Sequence, residues 1–232
     1  MTPDAHDAQL GELINGRRGV LDRITDEAHA AGADALLLIG SLGRGGGDAF
    51  SDLDLIIVPG PAFTGLDLPR LFGDEVLLRL EVPRNAPAGG SFHTACLDVA
   101  GTVLWVDVIT WPSATVAIPA DATAVFDKLN LPHSPLAFIP LLDQHRNPEA
   151  TGHPPTDATS LLRIAVAAKY LARNDVGRLV DKLPEADGVG LEAIPALLRQ
   201  MLGQIGDSAL ARAVSCTGAL VDLAAANARS CQ

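Results

Sequence analysis

The sequence predicts an α/β domain over residues 1–135 and an all-α helical bundle over residues 136–232. The first part contains short apolar runs with the composition of buried strands, preceded by a long amphipathic stretch. The second part is rich in alanine and leucine and has helical periodicity. Residues 147–155 are polar and contain prolines, so they predict a linker between the two patterns.

The elements of the first part can be placed from periodicity and turn residues. Apolar residues recur at helical spacing from Leu10 to Ala28, with Asp7 as the expected N-cap and Gly32 just after the end. Two apolar runs predict buried strands, and the glycine-dense segment between them predicts a loop. These segments are 35–39 and 53–58 for the strands and 40–47 for the loop.

The next segments predict a hairpin and a surface loop. Ala100-Gly101 separates two β-rich runs, 96–99 and 102–109, and indicates a tight turn. Residues 76–82 fit either a strand or a helix, and residues 83–90, rich in proline and glycine, predict a mobile loop. In the second part three helices are expected, with Asp207 or Ser208 capping the last, over 161–173, 191–205 and 209–227.

Composition and charge exclude several classes of protein. Hydrophobic residues make up 48% and charged residues 19%, as in ordinary globular proteins, and no apolar run approaches the roughly 20 residues of a membrane helix. The net charge of -11 disfavours broad binding to a nucleic-acid backbone. An acidic surface either attracts cationic ligands or only maintains solubility, and both interpretations stay open.

The cysteines and the N-terminus indicate a reducing compartment. Cys96, Cys216 and Cys231 are odd in number and lack metal-site spacing, so neither a disulfide scaffold nor a zinc site is expected. The polar residues 1–9 lack a basic stretch followed by an apolar core, so no signal peptide is expected. A cytoplasmic protein without a membrane partner is the resulting expectation.

The strongest chemical signal is a Gly-Ser turn followed by two alternating carboxylates. Residues two apart on a strand point to the same face, so Asp52 and Asp54 are expected side by side. Two like charges so placed need a cation, and Mg²⁺ prefers such oxygen ligands together with substrate phosphates. Gly40 and Ser41 would offer backbone N–H groups and a hydroxyl to those phosphates.

These motifs resemble the signature of the nucleotidyltransferase superfamily of DNA polymerase β. The resemblance rests on Gly40-Ser41-(three residues)-Gly45 and on Ser51-Asp52-Leu53-Asp54-Leu55. Within that superfamily, Val99 to Ile109 is similar to the hairpin that carries a third carboxylate. Two further segments resemble parts of bacterial aminoglycoside adenylyltransferases: Val125-Phe126-Asp127-Lys128 and Ala168 to Asp175.

The resemblance implies a mixed sheet that bears three acids, with a helical bundle closing the cleft. Asp52, Asp54 and Asp107 are the implied catalytic and magnesium-binding residues. The implied nucleotide-binding residues are Gly40, Ser41, Arg44, Ser51 and Lys169. Asp107 would either bind a second metal ion or take the proton of the acceptor hydroxyl, and that choice stays open.

Each of these residues also has a simpler interpretation. An Asp-x-Asp pair can be the polar face of an edge strand, and Asp107 can point outward from its strand. Arg44 can extend into solvent from a flexible loop. Lys169 can be a solvated helix charge. The combination of the Gly-Ser turn, the alternating carboxylates and the apolar run after them favours the functional interpretation.

The predicted function is a magnesium-dependent nucleotidyltransferase. It would move a nucleoside monophosphate, with AMP from ATP the leading expectation, to a hydroxyl of a small molecule such as an aminoglycoside antibiotic. Its partners would be a nucleoside triphosphate and that acceptor, without nucleic acid. Two alternatives stay open: an enzyme that adenylylates a partner protein such as a toxin, and a nucleotide-binding module without catalysis.

Overall fold

A computed structural model describes residues 3–147 and 156–230 of the protein. These residues form a six-stranded mixed sheet, helices and a C-terminal helical region. The chain is thus of the mixed α/β class. The strands are β1 (Ala33–Leu38), β2 (Leu53–Pro59), β3 (Val76–Glu81), β4 (Ser91–Val99), β5 (Thr102–Thr110) and β6 (Thr123–Asp127). The helices are α1 (Pro3–Ala30), α2 (Gly40–Gly43), α3 (Leu68–Phe72), α4 (Phe138–His145), α5 (Asp157–Ala172), α6 (Val176–Lys182), α7 (Ile194–Leu202) and α8 (Ala211–Ser230).

The strand order in the sheet is β3-β4-β5-β2-β1-β6. β1 pairs antiparallel with both β2 and β6, and β3 pairs antiparallel with β4. β2 and β5 pair parallel, which makes the sheet mixed. The predicted hairpin of β4 and β5 is confirmed: its turn residues Ala100 and Gly101 have φ of 53° and 76°, the left-handed region that a tight hairpin turn requires.

The described residues form two compact units. One comprises residues 16–97 and 104–147 and contains most of the sheet, and the other comprises residues 3–15, 98–103 and 156–230. α4 belongs to the first unit, and α5 to α8 belong to the second.

One cluster of core residues in the first unit lies on the sheet face that carries Asp54 and Asp107. Alternation along β2 puts Ile56 and Val58 on that face, and alternation along β5 puts Ile109 and Trp111 there. Phe138 from α4 packs with the same cluster. The other members are Ala35, Leu37, Ile39, Ala86, Phe92, Val116, Ile118, Leu131, Leu141 and Leu142.

The second unit is built on the pairing of α5 with α8. α5 also packs against α6 and α7. The Thr156 hydroxyl caps α5 by accepting from the Thr159 N–H at 3.2 Å. In turn, the Thr159 hydroxyl accepts from the Thr156 N–H at 2.7 Å, which completes a capping box. The predicted cap at Asp207 is confirmed for the short 3₁₀ turn that precedes α8, where its side chain accepts from Ala209 N–H.

One described segment, Ser208–Ser230, is long and apolar enough to cross a membrane by length and composition alone. Half of the window that passes this test is buried inside the protein, as in the core helix of a soluble protein. The fold is therefore compatible with a soluble protein.

Several local predictions were wrong. The segment predicted as a loop after β1 contains the helical turn α2, and α1 begins at Pro3, before the expected cap at Asp7. The predicted mobile loop 83–90 holds a 3₁₀ turn and the buried residue Ala86, because this segment covers one end of the core. Four further elements were not predicted: α3, β6, α4 and α6. Most of the predicted linker, 148–155, lies outside the described residues.

Candidate active site

Two carboxylates lie opposite each other on the parallel strands β2 and β5. The Cα partner of Asp54 is Asp107. Neighbouring strands are about 4.8 Å apart, so both side chains emerge at adjacent positions of one sheet face. That face also carries Ile56 and Ile109, which are buried, whereas both carboxylates are partly exposed. The two carboxylates therefore lie at the boundary between the buried core of the sheet and the solvent.

Thr94 supports the second of these acids. It lies on β4, the neighbour of β5, and its hydroxyl donates to Asp107 Oδ1 at 2.7 Å. Thr94 is only 2% exposed. A hydrogen bond from a buried hydroxyl fixes the rotamer of the carboxylate that receives it, so Asp107 is held in one orientation.

Gly40 packs directly against the first acid. Its backbone is in the left-handed region, with φ of 68°, and the backbone N–H before it, Ile39 N–H, donates to Asp54 O at 2.9 Å. A Cβ at position 40 would overlap Asp54 Oδ2 and lie 3.2 Å from Asp54 Cγ. The dihedral angle therefore favours glycine here, and a side chain at this position would have to displace the Asp54 carboxylate.

The turn before β2 is fastened by a buried arginine. Arg17 on α1 donates through Nη1 to Asp48 O at 2.6 Å and to Ser51 O at 3.0 Å. Burial lowers the pKa of Arg17 from its ordinary value, and the carboxylates of Asp48 and Asp52 oppose that shift. This guanidinium holds the segment that leads into the Asp52-Leu53-Asp54 sequence.

Ser51 takes part in the same turn. Its hydroxyl donates to Asp48 Oδ1 at 3.1 Å and accepts from Asp48 N–H at 3.0 Å, and the residue is 3% exposed. The hydroxyl that the sequence offers as a nucleotide contact is thus engaged within the loop.

A cavity of about 320 Å³ opens in front of the two acids. Gly40, Asp54 and Asp107 line it together with Arg44 and Asp121. Arg44 is more than half exposed and its Nη1 lies 3.2 Å from Asp121 Oδ2, so it extends over the cavity in an ion pair. Asp121 is itself fixed, because its Oδ1 accepts from Phe138 N–H at 2.7 Å.

The far wall of the cavity is apolar with two polar groups. The apolar side chains come from both the sheet and α4: Ile39, Phe92, Ile109, Phe138, Ile139 and Leu142. Arg146 stands at this wall and donates through Nη1 to Asn85 Oδ1 at 3.0 Å and through Nη2 to Asp143 Oδ1 at 2.7 Å. A ligand in this cavity would meet charged groups at one end and an apolar surface at the other.

Of the predicted site residues, Gly40, Arg44, Asp54 and Asp107 come together around this cavity. Asp52 is partly exposed at the residue before β2 and acts electrostatically on Arg17, and Ser41 is partly exposed within α2. Lys169 lies in the helical unit on α5 and is only 6% exposed. Binding roles for these three residues stay predictions.

Thr94, Asn85, Asp121 and Arg146 were not singled out from the sequence. A threonine in a β-rich run is ordinary strand composition, so Thr94 gave no signal. The other three lie in connecting segments or at a helix end that only the fold brings to the cavity.

The comparisons with known proteins leave the family open. No protein-family model matches the chain, and no curated protein is significantly similar to it in sequence. The geometry of the site is therefore the main basis for a function.

The donor set at the site fits Mg²⁺. This ion commonly takes one or two protein carboxylates and completes its coordination with water and substrate phosphates. Asp54 and Asp107 supply two such groups at paired strand positions. Within residues 3–147 and 156–230 no cluster of three His, Cys, Asp or Glu side chains is arranged to hold a metal ion. The residues that fit a magnesium ion are therefore the pair Asp54 and Asp107, without a preformed cluster that includes Asp52.

Proposed function

We propose that this protein is a magnesium-dependent nucleotidyltransferase of the DNA polymerase β type. It would move a nucleoside monophosphate, AMP from ATP as the leading case, to a hydroxyl of a small molecule. The observation that carries the proposal is the direct pairing of Asp54 with Asp107 beside a left-handed glycine that lies against the Asp54 carboxylate. A strand polar face without function would not need that close approach.

Asp54 and Asp107 would hold the magnesium ion. When bound, the ion would neutralise charge on the triphosphate and on the pyrophosphate that leaves. The Thr94 hydrogen bond would keep Asp107 oriented for this role. Asp52 would contribute as a further ligand only after a local rearrangement, since no three-acid cluster is formed.

The turn at Gly40 and Ser41 would receive the triphosphate. The absence of a side chain at Gly40 lets phosphate oxygens approach the backbone beside Asp54. Arg44 extends over the same cavity, and its exposed guanidinium could exchange Asp121 for a phosphate oxygen. Positioning and charge neutralisation are the main contributions a protein makes to phosphoryl transfer chemistry.

The cavity also limits the acceptor. Its lining contains three aspartates and two arginines, so the net charge at its walls is small although the whole chain carries -11. Asp107 keeps its second possible role: in place of holding the metal ion, it would take the proton of the attacking hydroxyl. A hydroxyl-bearing acceptor with both apolar and cationic groups, as in many antibiotics, suits such a lining.

The test is pyrophosphate release from ATP and Mg²⁺ in the presence of acceptors. Aminoglycosides, lincosamides and candidate partner proteins are added in turn to the purified chain. We expect release with at least one small-molecule acceptor, and Asp54→Asn should reduce it by 10³-fold or more, on the order expected for loss of a metal-binding charge. Asp187→Asn makes the same chemical change at an exposed site of the helical unit and should leave release unchanged.

The other results would each exclude part of the proposal. Release with a protein partner alone would exclude a small-molecule acceptor and favour the protein-modifying alternative. Magnesium-dependent ATP binding without release under any condition would favour the module without catalysis. Full activity of Asp54→Asn, with folding verified by circular dichroism, would contradict the site itself.

A further inference from the structure

A second cavity lies on the opposite face of the sheet from the two acids. Val108 and Thr110 line it, and they alternate along β5 with Asp107 and Ile109 of the first face. The volume is about 220 Å³. This is below the range of about 300–1,000 Å³ that is common for sites of drug-sized ligands, so an occupant would be small.

The sheet side of this cavity is polar. Ser91 Oγ lies 2.8 Å from Thr110 Oγ1, and the Ser91 N–H donates to the same Thr110 oxygen at 2.9 Å. One of the two hydroxyls donates to the other, so the second hydroxyl keeps its own proton available for a ligand. Two adjacent hydroxyls on neighbouring strands thus form a small hydrogen-bonding surface.

The charged groups in the lining are all capable of positive charge. Arg79 on β3 and His93 on β4 line the cavity, and no Asp or Glu side chain is among its described lining residues. The guanidinium of Arg79 is exposed and makes no ion pair within the described part of the chain. His93 Nδ1 lies 4.0 Å from Glu81 Oε1, outside the lining. In a chain with 28 acidic and 17 basic residues, such a lining is a local reversal of charge.

The remaining wall is apolar. Phe63, Leu66 and Leu68 come from the segment after β2 and the start of α3, and they face Val108 across the cavity. A ligand here would therefore meet apolar side chains on one side and a cation with hydroxyls on the other. Water molecules in such a cavity would hydrogen-bond to its polar groups but gain nothing from its apolar wall.

We propose that this cavity binds a small organic anion, a carboxylate on a short apolar chain. The carboxylate would accept from Arg79 and from one hydroxyl of the Ser91–Thr110 pair, and the apolar chain of the ligand would pack against Leu66 and Leu68. Charge-assisted hydrogen bonds to a guanidinium are the strong contacts available for such a group. This site is independent of the nucleotidyltransferase proposal, since it shares none of the metal-binding acids.

The test is a titration of the full chain with hexanoate, followed by amide chemical shifts in ¹H–¹⁵N spectra. Hexanol and hexylammonium are the matched neutral and cationic probes. We expect saturable shifts at Ser91, Val108 and Thr110 with hexanoate, and affinity that falls about tenfold in Arg79→Gln, as for loss of one charge-assisted hydrogen bond. Arg18→Gln removes an exposed arginine on α1 that does not line the cavity, and should bind hexanoate normally.

Three results would overturn the proposal. Equal affinity for hexanol would show that charge plays no part, and unchanged affinity in Arg79→Gln would move the anion elsewhere. Shifts confined to residues outside the cavity would also show that the anion binds elsewhere. Because Arg79 and His93 both lie at the surface, His93→Gln provides a second folded variant, with a smaller expected loss.

Discussion

Gly40→Ala tests the site most directly, because it adds one methyl group against a named carboxylate oxygen. The new Cβ would overlap Asp54 Oδ2 and approach Asp54 Cγ to 3.2 Å. The end of a carboxylate side chain can rotate away, whereas the backbone of a sheet cannot. We therefore expect the substitution to displace the Asp54 carboxylate and to leave the strands in place.

The size of the effect follows from two separable terms. A non-glycine residue in the left-handed region costs about 1–2 kcal/mol of folding free energy, and Gly40 has φ of 68°. The carboxylate must move by roughly 1 Å to restore van der Waals contact with the methyl group. A misplacement of about 1 Å in a catalytic group can reduce the rate by roughly 10²-fold.

Gly45→Ala is the matched control. Gly45 has φ of 73°, and a Cβ there meets nothing within 4 Å. Both variants should lose a similar unfolding free energy in urea, while pyrophosphate release with ATP and Mg²⁺ should fall only in Gly40→Ala. In an Asp54→Ala background the overlap is absent, so any excess destabilisation by Gly40→Ala should disappear in the double-mutant cycle. Equal activity of the two alanine variants would refute the close contact as a functional requirement.

Three further predictions concern the residues around the acids and the acceptor. Thr94→Val removes the donor to Asp107 and should lower kcat about tenfold, with Thr94→Ser restoring most of it; an unchanged kcat would mean that the hydrogen bond is structural only. Arg17→Met leaves two carbonyls in the turn before β2 without their donor, and should lower the unfolding free energy in urea by about 2–4 kcal/mol. If a polycationic aminoglycoside is the acceptor, its KM should rise between about 0.05 and 0.3 M salt while that of a neutral acceptor stays constant, and a salt-independent KM would contradict electrostatic attraction.

The sequence predicted the parts of the fold that depend on local pattern. The alternation of Asp54 with Leu53 and Leu55 gave both the strand and the direction of the carboxylate, because the two leucines are buried on one face and Asp54 lies on the other. Ala100-Gly101 gave the hairpin, since a two-residue loop between β-rich runs has few other solutions. The helices α5, α7 and α8 followed from their apolar spacing.

The unpredicted features depend on contacts between distant segments. Glycine-rich composition indicated a loop after β1, but Gly40 is fixed by Asp54 and the chain turns into α2 beside it. β6 is an edge strand with exposed residues at its start, so it has little apolar alternation to detect. Asp121 reaches the cavity only because Phe138 N–H donates to its side chain, a contact that no local pattern encodes.

The position of the two acids depends on the register of the buried strands. Side chains alternate with a period of two, so a slip of β2 by one residue would turn Asp54 to the other face and bury it among leucine and valine side chains. Leu53, Leu55 and Val106 are fully buried on that face, and burying an unpaired carboxylate there would cost several kcal/mol. The hydrophobic pattern that stabilises the sheet therefore also holds Asp54 opposite Asp107, and apolar substitutions that preserve this pattern should preserve the pair.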